Sequence, residues 1–202
     1  AVLAAARGEI GPEVELAADA NGSYGPDAAR RLFDRIGDLA LQCVEQPCAP
    51  EALAEHARLV QHVSTPICLD ETITSVAVAN EAIDGRACDA IAIKVGRLGI
   101  GEAKRVHDAC ARGSIDALPG GMLETGVGRA ALLAVAALPG CTLAGDCSAS
   151  ERYFGVDGDL TEPFVIDDGR LHVPSGPGLG VEPIPERLSR YTVARERVTA
   201  RG

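Results

Sequence analysis

The feature of this sequence that most constrains its fold is a regular alternation of short apolar segments with longer amphipathic ones. Four successive apolar segments each end at an ionisable residue, and these residues recur at intervals of 24 to 26 positions: Asp19, Glu45, Asp70 and Lys94. An interval of this length accommodates one strand, one helix and the loops between them. The alternation therefore predicts an α/β protein in which parallel strands form a sheet and helices pack against it.

The predicted strands are apolar along their length, which is typical of a sheet buried on both faces. We divide the chain into a βα array, residues 1–149, and a loop-rich segment, residues 150–202. Within that segment, 164–166 and 171–173 are predicted to pair as a hairpin. Six strands are predicted in the array, at 14–18, 41–44, 66–69, 90–93, 115–118 and 141–144. Five helices are predicted between them, at 26–39, 50–60, 74–83, 100–111 and 126–138.

The composition excludes several classes of function. The chain has 202 residues with 19 basic and 29 acidic side chains, a net charge of −10, whereas a nucleic-acid-binding domain needs a basic face. The same negative charge disfavours an anionic membrane surface, and no apolar run reaches the roughly 18 residues of a membrane span. With 47% hydrophobic residues, the chain is expected to fold as a globular protein with no nucleic-acid or membrane partner.

The seven cysteines indicate the compartment rather than a site. Their number is odd, no two have the C-x-x-C spacing, and several lie in apolar runs such as 41–44 and 66–69. We interpret most of them as small buried hydrophobic residues in a reducing cytoplasm. Residues 1–20 contain no signal-peptide pattern, so the expected location is cytoplasmic.

The ionisable residues at the strand ends predict a metal site. In a parallel βα array every strand points the same way, so these residues lie along one edge of the sheet. Asp19, Glu45 and Asp70 would place three carboxylates close together, and all three stay ionised only if a cation neutralises them. Oxygen ligands of this kind favour Mg²⁺ or Mn²⁺ over zinc. Such a cation would hold a substrate carboxylate and stabilise an enolate.

Lys94 is one of only two lysines among the 19 basic residues. It follows the predicted strand 90–93 at the same edge, where burial and a nearby cation are expected to lower its pKa from about 10.4 toward neutrality. A lysine of this kind can act as a general acid or base at carbon, with Glu71 as its hydrogen-bond partner. Lys104 lies within a predicted helix and is interpreted as a solvated surface charge.

The segment 119–126 also has the composition of a binding loop. It joins the fifth predicted strand to the next helix and contains the glycine pair Gly120 and Gly121. Glycines let backbone N–H groups approach a ligand closely, and the start of a helix favours an anion. A substrate-binding loop and a flexible connection are the two interpretations.

Five short motifs resemble, in order and spacing, those of the enolase superfamily, muconate-lactonizing subgroup. Within that subgroup they are similar to o-succinylbenzoate synthases and N-acylamino acid (N-succinylamino acid) racemases. The resemblance extends from about Val14 to about Val193 and implies a (β/α) TIM-type barrel. The amino-terminal capping domain and the first barrel strands are expected to be absent from this chain. The motifs are Asp19-Ala20-Asn21, Glu45-Gln46-Pro47, Asp70-Glu71, Ile93-Lys94-Val95-Gly96-Arg97 and the run GGMLETG that begins at Gly120.

The resemblance implies an enzyme that abstracts the proton alpha to the carboxylate of a small-molecule substrate. Lys94 would be one of two acid/base lysines, and the other would lie in a K-x-K motif just before Ala1. Asn21 would support the metal carboxylates, and Glu71 would orient Lys94. The full-length form is expected to be a homo-oligomer. Asp19, Glu45 and Asp70 would hold Mg²⁺, and the substrate pocket would be lined by Gly120, Gly121, Met122 and Glu124.

Three functions stay open at this point. The first is a Mg²⁺-dependent dehydratase of the o-succinylbenzoate synthase type, a carbon–oxygen lyase of menaquinone biosynthesis, in which Lys94 stabilises the enolate. The second is an N-acylamino acid racemase that uses the same site, in which Lys94 must act as a true base. The third is an inactive or truncated fragment that keeps only the metal site, with little or no turnover from these 202 residues.

Overall fold

The computed structural model describes residues 1–155 and 157–197. Val156 and residues 198–202, which belong to the predicted loop-rich segment, lie outside the described residues. Five short strands form a parallel sheet in which each strand pairs with its neighbours in chain order. The strands are β1 (Ala18–Asp19), β2 (Val44–Glu45), β3 (Ile67–Leu69), β4 (Ala90–Ile93) and β5 (Asp116–Pro119).

Helices connect successive strands, which confirms the predicted α/β architecture with a parallel sheet. The five predicted helices correspond to α2, α3, α4, α6 and α7 below, with ends that differ by a few residues. Of the helices that the structure describes, none is long and apolar enough to cross a membrane. The helices are α1 (Val2–Ile10), α2 (Pro26–Ile36) with a 3₁₀ turn at Gly37–Leu39, α3 (Leu53–Val60), α4 (Val76–Asp84), α5 (Val95–Leu98), α6 (Ile100–Gly113), α7 (Gly126–Ala136), α8 (Glu151–Phe154) and α9 (Pro185–Tyr191).

The two faces of the sheet carry side chains of different size. Leu69, Ile91 and Ile93 are buried in the main apolar cluster together with residues of α4, α6 and α7. The opposite face has smaller residues, such as Cys68 and Ala92, in a separate buried cluster. Because side chains alternate along a strand, both faces are covered, and this explains the continuous apolar character of the strand sequences.

The cysteines contribute to these buried layers. All seven are free thiols, and five of them are buried. Burial raises the pKa of Cys88 and that of Cys110 to about 12, so these two thiols stay protonated at neutral pH. Their environment agrees with the interpretation of most cysteines as small hydrophobic residues.

The first, second and sixth predicted strands need correction. The first is confined to Ala18–Asp19 and the second to Val44–Glu45, so Asp19 and Glu45 lie within their strands rather than after them. In the described chain the predicted strand at 141–144 does not form. A ladder requires hydrogen bonds at alternate residues, whereas the backbone of this region bonds to β5 at a single point, from Asp146 N to the Pro119 carbonyl at 3.1 Å.

Helix α1 and the predicted hairpin also differ from the sequence interpretation. Helix α1 was not predicted from the sequence, and none of its residues is fully buried. Its Arg7 donates to the carbonyls of Leu39 and Ala40 at 2.9 and 3.0 Å. The hairpin is reduced to one antiparallel bridge, Asp167 with Arg170, around a tight turn, and the flanking segments form no strands in the described structure.

A buried ion pair attaches the loop-rich segment to the sheet and helices. Arg129 of α7 and Asp159 are both buried, and their charged groups are 3.0 Å apart. Asp159 also accepts hydrogen bonds from the backbone N–H groups of Gly126 and Leu160. The Arg129 guanidinium lies over the Phe164 ring, 5.8 Å from its centroid. These contacts stabilise the start of α7 and the segment from 150 onward together.

Replacement of Asp159 by Ala is therefore expected to lower the free energy of unfolding by about 3–5 kcal/mol, because it leaves the Arg129 charge buried without its partner. Urea denaturation followed by circular dichroism measures the change. Asp157→Ala is the matched control, because Asp157 is 89% exposed and 3.7 Å from Arg187. An exposed pair of this kind contributes at most about 1 kcal/mol. Equal losses in the two variants would contradict the assignment.

Candidate active site

The residues predicted at the strand ends do lie at one edge of the sheet. Asp19 of β1 and Glu45 of β2 are direct register partners. Asp70 follows the last residue of β3, and Lys94 follows the last residue of β4. The Lys94 ammonium is 3.2 Å from the Asp70 carboxylate, so two side chains from neighbouring strands are in contact. Parallel pairing in chain order therefore gathers residues that are far apart in the sequence.

Asp70 is the most deeply buried of these carboxylates, at 3% exposure. Its Oδ2 contacts Lys94, and its Oδ1 accepts a hydrogen bond from Arg97 Nη1 at 2.8 Å. The same Arg97 nitrogen donates to the backbone carbonyl of Asp70 at 2.6 Å. The sequence interpretation gave Arg97 no role. Lys94 is the N-cap of the short helix α5 and has an extended backbone, so helical spacing gave no signal for this contact.

Asn21 organises the other end of the site. Its backbone N–H donates to Asp19 Oδ1 at 2.9 Å, and its side-chain amide donates to Asp19 Oδ2 at 2.8 Å. The same amide donates to Glu71 Oε1 at 3.2 Å. Asn21 therefore bridges the last residue of β1 and an acidic residue of the loop after β3. The structure pairs Glu71 with Asn21, and not with Lys94 as predicted from the sequence.

The pKa of Glu45 is raised to about 8. Burial is the largest cause, followed by the nearby negative charges of Asp19 and Asp70, and Lys94 offsets only part of the effect. Burial and repulsion from neighbouring carboxylates both favour the protonated form of Glu45. At neutral pH the folded chain therefore keeps a proton on Glu45.

The predicted lowering of the Lys94 pKa is wrong for this structure, in which the pKa is raised. Burial by itself lowers it, as expected. The charge of Asp70, its hydrogen bond with Lys94 and the charges of Glu45 and Asp146 together outweigh burial. The prediction combined burial with a nearby cation and left out the carboxylates around the ammonium, which favour its charged form.

The loop after β5 lies against Lys94. An added Cβ at Gly120 would be 2.8 Å from both Cδ and Cε of Lys94, so glycine is needed for the lysine stem to lie on the backbone. The Lys94 ammonium also donates to the Gly121 carbonyl at 3.2 Å. The other lysine of the chain, Lys104, lies on α6 in an exposed ion pair with Asp108, as predicted for a surface charge.

Met122 and Glu124 continue this loop. Met122 is 45% exposed, and its backbone N–H donates to Glu124 Oε2 at 2.9 Å. Within the described structure, Glu124 Oε1 is buried without a hydrogen-bond partner, and so is Glu71 Oε2. Gly96 of α5 faces both residues, with its Cβ position 3.6 Å from Met122 Sδ and from Glu124 Oε1. The loop thus places the unsatisfied Oε1 of Glu124 near α5, the short helix that directly follows Lys94 in the sequence.

A comparison with known families decides the wider relationship. The family described as enolase C-terminal domain-like matches residues 1–187. The chain belongs to the enolase superfamily. The resemblance carried by the sequence motifs is therefore confirmed, and the parallel sheet of this chain is part of the enolase-superfamily barrel.

Two relatives within the enolase superfamily that are similar to this chain carry different names. The N-succinylamino acid racemase of an Amycolatopsis species is 48% identical over 95% of this chain and 51% of that protein. The o-succinylbenzoate synthase of Geobacillus kaustophilus is 43% identical over 90% of this chain and 48% of that protein. The crystal structure of an enolase superfamily member from Listeria innocua has a TM-score of 0.87 at 36% identity, covering 95% of this chain and 51% of that one. The chain spans about half the length of the relatives it matches.

The carboxylates at this edge of the sheet have the chemistry needed to bind a divalent cation. Among the described residues, no three His, Cys, Asp or Glu side chains are already arranged around a common centre. Both Asp70 oxygens contact Lys94 or Arg97, and both Asp19 oxygens accept hydrogen bonds from Asn21. The three carboxylates nevertheless supply the oxygen ligands that Mg²⁺ prefers, and a cation would relieve the repulsion that raises the Glu45 pKa.

The raised pKa of Glu45 predicts an unusual pH dependence of stability in the presence of a chelator. Between its ordinary value of 4.5 and about 8, the folded chain holds a proton that the unfolded chain releases. Raising the pH through this window is therefore expected to lower the free energy of unfolding. Glu45→Gln should flatten the slope, and the exposed Glu51→Gln should preserve it. Urea denaturation at a series of pH values measures both, and an unchanged slope in Glu45→Gln would refute the assignment.

Proposed function

We propose that this chain carries the metal and lysine part of the active site of a Mg²⁺-dependent dehydratase of the o-succinylbenzoate synthase type. The observation that carries the proposal is the contact between the Lys94 ammonium and Asp70 at the edge where Asp19 and Glu45 are register partners. The names of relatives such as the Geobacillus synthase support it. The native enzyme would act in menaquinone biosynthesis as a cytoplasmic homo-oligomer.

The chemistry follows from the positions of these side chains. Asp19, Glu45 and Asp70 would hold Mg²⁺, with Mn²⁺ as a substitute, and the bound cation would supply Lewis-acid stabilisation to a substrate carboxylate and its enolate. Asn21 orients the Asp19 carboxylate through two hydrogen bonds. Lys94 holds a positive charge at the same edge, where it would stabilise negative charge that develops on the substrate after loss of the alpha proton.

The loop from Gly120 to Glu124 would form the wall of the substrate pocket. Gly120 keeps the stem of Lys94 against the backbone, and Gly121 accepts a hydrogen bond from its ammonium. Met122 offers an exposed apolar surface, and Glu124 brings the unsatisfied buried oxygen described above. This loop would therefore position Lys94 as well as contact the substrate.

Racemisation of N-acylamino acids is the second candidate, and the observation that favours it is the 48% identity to the Amycolatopsis racemase. Both reactions begin with removal of a proton alpha to a carboxylate, so the same carboxylates and the same lysine would serve either one. They differ in the task of Lys94. A dehydratase needs only its positive charge, whereas a racemase needs Lys94 to exchange a proton on the second face of the substrate.

The variant Lys94→Arg separates the two tasks in the native polypeptide that carries this sequence, because arginine keeps the charge but does not deprotonate. If dehydration is the native activity, racemisation is expected to fall by about 10²- to 10⁴-fold, the usual contribution of an acid/base group, while substantial dehydration remains. Steady-state assays with succinylbenzoate precursor and with an N-succinylamino acid measure the two rates. Equal loss of both activities would refute the division of roles.

The 202-residue chain by itself provides a second test. The resemblance requires a lysine on each side of the substrate, and the only lysine here besides Lys94 is Lys104, which lies in a surface ion pair. The chain is therefore expected to bind Mg²⁺ saturably at millimolar concentration in calorimetry and to show little or no turnover. Asp19→Asn is the control that should weaken binding. Absence of Mg²⁺ binding would contradict the three-carboxylate site, and clear turnover would contradict the need for the second lysine.

A further inference from the structure

Gln46 is a buried amide at the point where β2 ends. Its side chain is 0% exposed, and its backbone has a φ of 38°, in the left-handed region. A residue other than glycine in that region costs about 1–3 kcal/mol and persists only where its surroundings hold it there. Gln46 directly follows Glu45, and neither the motif nor the proposed chemistry assigns it a task.

The side-chain amide uses all of its hydrogen-bonding capacity. Oε1 accepts from the backbone N–H groups of Asp70 at 2.9 Å and Thr72 at 3.2 Å. Nε2 donates to the Cys48 carbonyl at 3.0 Å and to Thr72 Oγ1 at 2.8 Å. The Thr72 hydroxyl in turn donates to the Pro50 carbonyl at 3.1 Å. One side chain therefore joins the loop after β2 to the loop after β3.

Oε1 of Gln46 takes the place of a backbone carbonyl oxygen in the hydrogen-bond ladder between β2 and β3. Gln46 N donates to the Cys68 carbonyl at 2.8 Å, and the next bond of a parallel ladder would join Asp70 N to the backbone carbonyl of Gln46. Because the chain turns into the left-handed region at Gln46, that carbonyl accepts from Gly22 N instead, at 2.7 Å, in the loop after β1. The side-chain oxygen of Gln46 accepts the hydrogen bond from Asp70 N instead of the backbone carbonyl, and so extends the ladder to Asp70.

We propose that Gln46 is a positioning residue of the cation site, which fixes the separation of the Glu45 and Asp70 carboxylates and so sets the preference for Mg²⁺ over larger cations. This inference rests on the proposed function for the existence of that site. Gln46 adjoins Glu45 in the chain and holds Asp70 by its N–H, so losing the amide loosens both carboxylates at once. Mg²⁺ demands nearly ideal octahedral geometry, whereas Ca²⁺ tolerates six to eight oxygens in flexible arrangements.

The test uses Gln46→Met, which preserves the length of the side chain and removes its hydrogen bonds. Mn²⁺ is titrated into the 202-residue chain and followed by electron paramagnetic resonance, and Mg²⁺ or Ca²⁺ then displaces it. Loss of a residue that orients metal ligands typically costs about 10- to 100-fold in metal affinity, and we expect a loss of this size for Mg²⁺ with a smaller one for Ca²⁺. The ratio of the Mg²⁺ and Ca²⁺ dissociation constants is the decisive quantity.

A matched control removes the same kind of bond at the opposite end of β3. Asp89 Oδ2 accepts a hydrogen bond from Ile67 N at 2.9 Å, remote from the site edge. Asp89→Ala is expected to lower the melting temperature without changing the ratio of the two dissociation constants. A general loss of stability would affect both variants, whereas positioning of the carboxylates affects the ratio in Gln46→Met alone.

Thr72→Val covers the case in which Gln46→Met does not fold. It removes the Thr72 hydroxyl that binds Nε2 and leaves Oε1 on Asp70, so a smaller change of the ratio in the same direction supports the proposal. If every folded variant of Gln46 and Thr72 keeps the wild-type ratio of the Mg²⁺ and Ca²⁺ dissociation constants, the role of Gln46 is overturned while the cation site stands. A wild-type chain that binds none of the three cations would overturn the proposed site and the role of Gln46 with it.

Discussion

The Asp70 carboxylate is the group on which the rest of the site depends. A carboxylate that is 3% exposed costs several kcal/mol unless cations and donors surround it. Lys94 and Arg97 provide the two positive charges, and the Gln46 amide holds the backbone N–H of Asp70. Since these charges lie closest to Asp70, Glu45 receives less compensation for its own burial, and its pKa rises to about 8. One edge of the sheet therefore combines an ion-paired carboxylate with a carboxyl group that keeps its proton at neutral pH.

The sequence was sufficient to predict that five parallel strands pair in chain order and to name the residues along their common edge. An apolar run followed by a charge is a local pattern, and parallel order converts four such patterns into neighbours, as the register pair Asp19–Glu45 shows. The sequence could not show which of these side chains contact each other. Glu71 lies against Asn21, and Lys94 against Asp70, because side-chain positions depend on contacts between loops that are distant in the sequence. The sign of the Lys94 pKa shift depended on those same contacts.

The regions predicted least well are those stabilised by polar contacts. The segment 141–144 is apolar enough to be predicted as a strand, yet a strand forms only where backbone groups find a ladder. Gln46 presents the opposite case, because a buried amide in a left-handed turn has no signature in hydrophobic periodicity. Arg129 stands beside an apolar run, and its partner Asp159 lies 30 residues away, so neither residue by itself indicates a buried ion pair. Periodicity describes which surfaces are buried, and it carries no information on which polar groups satisfy each other.

The buried ion pair connects the irregular carboxyl-terminal segment to the site edge. Arg129 binds Asp159 with one nitrogen and donates with another to the backbone carbonyl of Glu124, which ends the loop that follows β5. The same loop begins with the glycine against which the stem of Lys94 lies. An added Cβ at Gly121 would collide with the Asp146 carbonyl, so the loop is enclosed on that side as well. Two sets of contacts thus fix the position of the Lys94 side chain. Asp70, at the end of β3, pairs with its ammonium. The loop after β5, which the buried ion pair anchors, contacts its stem and accepts a hydrogen bond from its ammonium.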